Sequence, residues 1–344
     1  MESIIKQLAK ELNINEKQVQ NTVALIDEGN TIPFIARYRK ERTGGLDDIV
    51  LRKLGERLSY LRNLESRKQE VIRLVDEQGK LTDDLKKKIE SAEILTEVED
   101  LYRPYKAKKR TRATIAKEKG LEPLANILLL QNVFEGGIED IASPYISEEK
   151  GIHTMDEALQ GAEDIIAEMI SDNAEYRKYI RDITYRDGTL VSKGLKTNEK
   201  SPYEMYYKFD EPVKRIAPHR ILAINRGEKE KFLSVKIDAP VDAIMQKLYG
   251  QILSKTESLT TKYVKLACDD AYKRLIAPSI EREIRAELTD KGEEQAIKIF
   301  AANLHSLLMQ PPIKGKVVMG FDPGFRTGCK VAVVDDTGKL LDTA

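Results

Sequence analysis

Cysteine and histidine are scarce in this chain, with two cysteines and three histidines among 344 residues. Cys268 and Cys329 cannot supply a disulfide framework or a zinc site of four thiolates. His153, His219 and His305 lie far apart, and none has a second ligand at helical spacing. We therefore expect no bound metal and no cofactor.

Net charge and long apolar runs are also missing. Lysine plus arginine and aspartate plus glutamate each number 57, so the formal net charge is zero. A neutral chain does not coat nucleic acid with its whole surface, so any binding must come from local basic patches. No apolar run approaches the length of a bilayer span, and the amphipathic N-terminus MESIIKQLAKEL is unlike a signal peptide. We expect a globular, cytoplasmic protein without a membrane partner.

The common nucleotide-binding and hydrolase motifs are absent. The stretch GFRTGCK has the wrong spacing for a Walker A loop and lacks Ser or Thr after its lysine. No Gly-x-Gly-x-x-Gly and no Gly-x-Ser-x-Gly occurs. No small-molecule substrate is therefore expected.

Helical patterns fill roughly the first three hundred residues. Asn15 and Gln18 predict a capping box at the start of the second helix, and Gly29 stands where that helix should stop. A third helix is predicted from Pro33 to the glycine pair at 44–45. Three short helices with tight turns in 45 residues indicate a helix-turn-helix-like unit.

The next helices are longer. Leucines at a three-four spacing predict one helix over residues 47–78, and Glu65 and Lys68 interrupt its heptads, which favours a packed helix over a coiled coil. ALQGAEDIIAEMI is predicted to be amphipathic, with inward-facing residues Leu159, Ala162, Ile165, Ile166 and Met169. A helix is predicted from Pro218 to Arg226, and the stretch FLSVKI that comes after it, residues 232–237, is predicted to form a strand.

The character of the sequence changes after residue 312. Two β-branched runs, 317–321 and 330–334, and a third strand from Leu340 predict the opening of an α/β domain. The chain is thus divided into an N-terminal helical region (1–78), a helical core with a short strand near 231–237 (79–312), and the start of this domain (313–344). Because three strands cannot bury a core, we expect the front part of a longer protein.

Residues 101–120, LYRPYKAKKRTRATIAKEKG, carry eight lysines and arginines against one acid. This density exceeds what pairing at helical spacing can neutralise, and adjacent tyrosines could stack on bases. The alternative is a solvated loop, or one docked on acidic helices of the same protein. Both readings stay open. A second cluster, made of Arg37, Arg39, Lys40 and Arg42, ends the third helix, where it could simply cap the helix dipole. A third cluster surrounds a predicted helix start and comprises Lys214, Arg215, His219, Arg220 and Arg226. The candidate nucleic-acid contacts are Arg37, Arg39, Lys40, Arg42, Tyr105, Lys106, Lys108, Lys109, Arg110, Arg112 and Arg220.

Asp322-Pro323-Gly324 follows a predicted buried strand. A carboxylate there could bind Mg²⁺ in a two-metal nuclease site, although that chemistry needs several converging carboxylates. The same three residues are typical of a turn that leaves a strand, and turn chemistry accounts for all of them. A phosphate loop of the actin-like ATPase kind is a third possibility.

Several long blocks together resemble one known family, the bacterial Tex proteins, which are transcription accessory factors. The resemblance covers nearly the whole chain and lies in GNTIPFIARYRKERTGGLDD, DLYRPYKAKKRTRATIAKEKGLEPLA, ALQGAEDIIAE, HRILAINRGE, PSIEREIRAELT and GFDPGFRTGCKVAVVD.

The resemblance implies a mainly α fold: a multi-helix N-terminal scaffold with a helix-turn-helix-like unit, followed by the first strands of a truncated YqgF-type, ribonuclease-H-like domain. In the family, helix-hairpin-helix elements and an OB-fold RNA-binding domain come after it. Asp322 matches the first acidic position of the YqgF/RuvC-type motif, and the other positions would lie beyond Ala344. The resemblance implies a vestigial role for Asp322.

We therefore expect a non-enzymatic scaffold that helps a transcription accessory protein engage RNA, DNA and the transcription machinery. Two alternatives remain. One is a metal-dependent nuclease of the ribonuclease H or resolvase type, with Asp322 as a metal ligand. The other is a helical scaffold that binds only proteins.

Overall fold

The computed structural model describes residues 1–195, 200–311, 313–324 and 328–344. The fold is mostly helical, which confirms the predicted class, and it carries two small antiparallel sheets. Residues 196–199, 312 and 325–327 lie outside the described residues. The helices are α1 (Glu2–Leu12), α2 (Glu16–Asp27), α3 (Ile32–Tyr38), α4 (Asp48–Asp76), α5 (Asp83–Ser91), α6 (Leu95–Tyr102), α7 (Arg112–Glu118), α8 (Glu122–Leu130), α9 (Ile138–Ala142), α10 (Met155–Ser171), α11 (Ala174–Asp187), α12 (Pro218–Lys229), α13 (Val241–Ile252), α14 (Thr261–Asp270) and α15 (Ala277–Leu308). The strands are β1 (Thr189–Gly194), β2 (Lys208–Pro212), β3 (Leu233–Asp238), β4 (Val318–Asp322), β5 (Lys330–Val334) and β6 (Leu340–Thr343).

The chain forms two compact units. The first comprises Met1–Tyr185 and Ala239–Ile280, and the second comprises Arg186–Asp238 and Glu281–Ala344. Each unit is therefore built from two separate stretches of chain. The segment 79–312 of the sequence-based division contributes to both units.

The first three helices pack on α4 through small apolar clusters. Leu8 of α1 and Val19 of α2 are fully buried against Leu54 of α4. The capping box predicted for α2 is present, because Asn15 and Gln18 exchange side-chain and backbone hydrogen bonds. A four-residue turn with Gly29 at φ +84° joins α2 to α3, as in a helix-turn-helix unit.

Helix α3 ends at Tyr38, six residues before the predicted glycine pair. The following turn is held from α2 instead of continuing as helix. Asn21 donates its side-chain amide to the carbonyl of Arg42 at 2.8 Å, and Gln18 donates to the carbonyl of Gly44 at 3.0 Å. These side-chain hydrogen bonds from α2 hold residues 40–44 as turns, so tertiary contacts override the local helical pattern.

Helix α4 is packed within the protein, as predicted. Leu51, Leu54, Leu58 and Leu61 are all buried along one stripe. Lys68, which breaks the heptad pattern, is only 8% exposed. Its Nζ donates to the carbonyl of Glu90 at 2.8 Å, so the buried charge is hydrogen-bonded rather than orphaned.

Helix α10 packs against α7, α8 and α14 at the centre of the first unit. Its predicted inward residues Leu159, Ala162, Ile165 and Ile166 are buried. Met169 was predicted to face inward as well, and this is wrong: it is 45% exposed. Gly161 allows a close approach, because a Cβ there would lie 2.4 Å from Leu121 Cδ1.

The second unit contains both sheets. The first has the order β2-β1-β3, with Leu190 opposite Glu211 on one side and Ile237 on the other. Helix α12 packs on β3. The predicted strand is confirmed as β3, whereas β2 was not foreseen. The second sheet has the order β4-β5-β6, close to the predicted strand positions.

A rare π-helical segment, Ala271–Ile276, links α14 to α15. Helix α15 then buries Ile280, Ile284 and Leu288 along its first half. Among the described residues, no helix combines the length and apolarity that crossing a membrane requires.

Candidate nucleic-acid interface

The basic loop, residues 103–112, lies against helix α10 in the first unit. Lys108 forms an ion pair with Asp172 and lies 3.5 Å from a carboxylate oxygen of Glu168. Arg103 donates from Nε to the other Asp172 oxygen at 3.1 Å. Thr111, the N-cap of α7, donates its hydroxyl to Glu168 at 3.0 Å.

The acceptors of these contacts form an acidic row along one face of α10, defined by Asp164, Glu168 and Asp172. Their spacing of four residues places them one above another on the helix. The Asp164 side chain is 9% exposed and that of Asp172 is 10% exposed. Arg274 of the π-helical segment donates to Asp164 at 2.9 Å and also pairs with Asp270. The row is thus a buried acidic surface under the basic loop.

Burial acts strongly on these carboxylates. It raises the pKa of Asp172, and the hydrogen bond from Lys108 opposes that rise. Burial likewise raises the pKa of Asp164, against the attraction of Arg274 and Arg112. Next to the row, burial and the neighbouring Asp164 and Asp270 raise the pKa of Glu163 to about 7. Basic partners are therefore what allows this helix to carry charge away from water.

The remaining candidates of the basic loop are exposed to different degrees. Lys106 lies 3.9 Å from Glu99, and Arg110 pairs with Glu118 at 3.2 Å on the open surface. Lys109 and Arg112 are exposed, and neither has a carboxylate within 4.0 Å in the part of the chain that is described. Tyr105 is partly buried against the α4–α6 core, so it is less available for stacking.

A second basic site, the arginine turn, stands at the end of α3 and is defined by Arg37, Tyr38, Arg39, Lys40 and Arg42. Arg42 pairs with Glu28 at 3.2 Å. Arg37, Arg39 and Lys40 are exposed and have no carboxylate within 4.0 Å among the described residues. Arg39 donates from Nη1 to the backbone carbonyl of Tyr38 at 3.1 Å. This turn therefore carries the least compensated positive charge of the three clusters.

Aromatic rings accompany the arginine turn. The ring centroids of Phe34 and Tyr38 are 5.2 Å apart. The guanidinium of Arg39 lies 5.0 Å from the centre of Phe34, and that of Arg37 lies 6.0 Å from the centre of Tyr38. Tyr38 is 59% exposed. Sequence reasoning named the cations here but missed both rings, although their i to i+4 spacing on one helix was a usable signal.

The third cluster lies in the second unit. Arg220 donates to Glu211 at 2.7 Å, and its guanidinium is 5.7 Å from the centre of the Phe209 ring. Arg226 is paired with Glu230 one helical turn away. These contacts engage both arginines within their own unit.

Asp322 lies at the end of β4, opposite Lys330 in the register. Within the described residues, no group of three or more His, Cys, Asp or Glu side chains could hold a metal ion. A single carboxylate does not hold two cations, so the described residues around Asp322 do not make a two-metal centre.

Three family models match the chain. The model described as the Tex-like protein N-terminal domain matches residues 2–76, and the one described as Tex central region-like matches residues 137–300. The third, the Tex protein YqgF-like domain, matches residues 316–344. The matches follow one another in the order that the sequence blocks had indicated.

Whole-chain relatives agree. The chain is 52% identical over 339 residues to the Bacillus subtilis protein named Uncharacterized protein YdcI, covering 98% of this chain and 47% of that protein. It is 41% identical to the Transcriptional accessory protein Tex of Neisseria gonorrhoeae, over 99% of this chain and 45% of the relative. It is 32% identical to the human S1 RNA-binding domain-containing protein 1, over 99% and 35%.

The chain spans about half the length of the bacterial relatives it matches. The alignments extend over nearly all of its residues, and the three matched domains together cover residues 2–76, 137–300 and 316–344. The predicted family is thereby confirmed. This chain belongs to the Tex family of transcription accessory proteins.

Proposed function

We propose that the chain is the N-terminal scaffold of a nucleic-acid-binding transcription accessory protein and that it contributes its own phosphate contacts. The observation that carries this proposal is the arginine turn, whose Arg37, Arg39 and Lys40 have no carboxylate within 4.0 Å in the described residues. Exposed cations of this kind are the groups that neutralise phosphates and release counterions. The names of two relatives, a transcriptional accessory protein and an S1 RNA-binding domain-containing protein, point the same way.

The basic loop takes a different part in this proposal. Its inner cations, Lys108 and Arg103, hold the loop on the acidic row of α10. Its outer cations, Lys109 and Arg110, face water and extend the surface available to a phosphate backbone. The loop is thus a docked scaffold element with a basic rim, and its inner cations are not free for a ligand.

We propose that the chain acts without catalysis, in the cytoplasm, and brings RNA or DNA near the transcription machinery. In this proposal Asp322 is the last residue of β4 and binds no metal. We also propose the division into residues 1–78, 79–312 and 313–344. In its support, each of the three matched domains falls within one of these segments.

The test is fluorescence anisotropy of the 344-residue chain with a labelled single-stranded RNA and a labelled DNA duplex across a salt series. Binding through phosphates gives a negative slope of log K against log salt. The variant R37Q/R39Q/K40Q should reduce the magnitude of that slope on RNA by roughly 2, at about 0.7 per phosphate contact. Lys108→Gln should leave the slope unchanged.

A charge-matched control separates site from net charge. The variant R73Q/R226Q/K298Q also removes three positive charges, each from an exposed cation paired with an acid one helical turn away. It should keep the wild-type slope. Equal losses in the two triple variants would contradict a site at the arginine turn. Absence of binding by the wild-type chain at low salt would refute the proposed function for residues 1–344.

A further inference from the structure

The arginine turn joins exposed cations to an exposed aromatic ring. Tyr38 is 59% exposed, and Phe34 supports it from one turn below, with ring centroids 5.2 Å apart. The rings are tilted by 49° rather than stacked flat, so Tyr38 keeps ring surface open to solvent. Arg37 lies near the Tyr38 ring and Arg39 over the Phe34 ring, and Lys40 follows them on the turn; among the described residues none of the three has a carboxylate partner. Aromatic rings beside basic side chains are the combination that single-stranded nucleic acid requires.

Duplex readout fits this helix poorly. A recognition helix in the major groove contacts base edges through its N-terminal residues. The first turn of α3 consists of Ile32, Pro33 and Phe34, whose side chains offer no hydrogen-bonding group to a base edge. The polar groups of α3 lie at its other end. The unit therefore has the backbone arrangement of a helix-turn-helix, but the first turn of α3 lacks side chains that could hydrogen-bond to the base edges of a duplex.

We infer that Tyr38 is a stacking platform for an unpaired base and that Arg37, Arg39 and Lys40 contact the phosphates on either side of it. This inference rests on the proposed function and adds the class of ligand, single-stranded nucleic acid. Every base has a π-face, so the site tolerates any sequence. A paired base is already stacked within its helix and cannot lie on the ring.

Four labelled 12-mers test the inference with the whole 344-residue chain: oligo(A) RNA, oligo(dA) DNA, a backbone of abasic sites, and a DNA duplex. Tyr38→Ala should weaken binding to both single strands by about fivefold or more, because one base loses its stacking partner. Affinity for the abasic strand and the duplex should not change. The salt slope should also stay constant, since no charge is removed.

Two variants serve as controls. Tyr38→Phe keeps the ring and should keep the wild-type affinity for both single strands. Phe134→Ala removes an aromatic side chain that is 56% exposed elsewhere in the same unit, and it should have no effect. The Tyr38 side chain is mostly exposed and contributes little to packing, so the melting temperature of the Tyr38→Ala variant should match that of the wild type.

The outcomes separate the two proposals. An equal loss on the abasic strand or the duplex, or a Phe variant as weak as the Ala variant, would overturn stacking. If the arginine variants weaken binding while Tyr38→Ala does not, the stacking inference falls and the phosphate contacts stand. If the wild type binds none of the four oligonucleotides at low salt, both fall. A Tyr38 effect confined to RNA or to DNA would also overturn the inference, because stacking does not distinguish the sugars.

Discussion

The basic loop and the arginine turn differ in what surrounds their positive charges. The loop is the denser run of lysine and arginine, yet its inner cations lie on buried carboxylates of α10. The turn is sparser, and three of its cations face water without a carboxylate partner among the described residues. Charge density along a chain therefore does not measure the charge that a ligand meets. The acidic partners of each cation determine how much of its charge a ligand meets, and these partners come from elsewhere in the sequence.

The largest expected effect concerns the acid under the loop. Asp172→Ala should lower the free energy of unfolding by about 3 kcal/mol, because it leaves Arg103 without its largely buried partner and Lys108 with only the longer contact to Glu168. Urea denaturation followed by circular dichroism measures this change. A loss below about 0.5 kcal/mol, the range of surface pairs, would show that the loop is not docked on the acidic row.

The next effect is a pH dependence of stability that comes from Glu163. Its pKa is raised from 4.5 to about 7, so the folded state binds this proton more tightly than the unfolded state does. The stabilisation is complete below pH 4.5 and is lost as the pH rises through 7. Relative to the wild type, Glu163→Gln should gain roughly 2 kcal/mol of stability between pH 4.5 and pH 8. Unfolding curves of both proteins at the two pH values check this, and a constant difference would contradict it.

A third variant tests whether the basic loop can be made to bind phosphates as the arginine turn is proposed to do. Asp172→Asn together with Glu168→Gln removes both negative charges beside Lys108 while keeping the size of each side chain. One cation should become available to phosphates, steepening the salt slope on single-stranded RNA by about 0.7 and raising low-salt affinity by about threefold. Adding Lys108→Gln to this variant should cancel the gain. Unchanged binding by the folded double variant would mean that the position of Lys108, and not its neutralisation by carboxylates, keeps it from binding phosphate.

The smallest effect belongs to the exposed pair Arg110–Glu118. Both side chains are largely in water, at 71% and 60% exposure. Glu118→Ala should change the free energy of unfolding by no more than about 0.5 kcal/mol. The urea experiment used for Asp172 gives the direct contrast between a rim pair and a docked pair. A loss comparable to that of Asp172→Ala would erase the distinction between the inner and outer cations of the loop.

Local patterns predicted the elements well wherever neighbours in sequence determine them. The capping box of Asn15 and Gln18 and the leucine stripe of α4 depend on residues three or four apart, and both are present. Strand β2 has no such signal, because KFDEP is mostly charged and ends in proline. It forms because β1 offers it a partner, with Val191 opposite Asp210. Tertiary pairing supplies what local propensity lacks.

The candidate site was predictable only as a set of basic residues. Lys108 and Asp172 are 64 positions apart, so no window on the sequence shows that one neutralises the other. The early end of α3 has the same origin, since Gln18 and Asn21 reach the turn from a preceding helix. Which cations remain free is thus a property of the folded chain.

Under the proposed function, the two amides of α2 that hold the turn would also affect how quickly it binds a strand. Because Gln18 and Asn21 fix the carbonyls of Gly44 and Arg42, the backbone beneath the cations is already ordered before a ligand arrives. Association then needs no loop ordering, and the encounter rate is governed by diffusion and charge. If the proposed phosphate contacts form at this turn, the pre-ordered backbone raises affinity by removing a cost of binding.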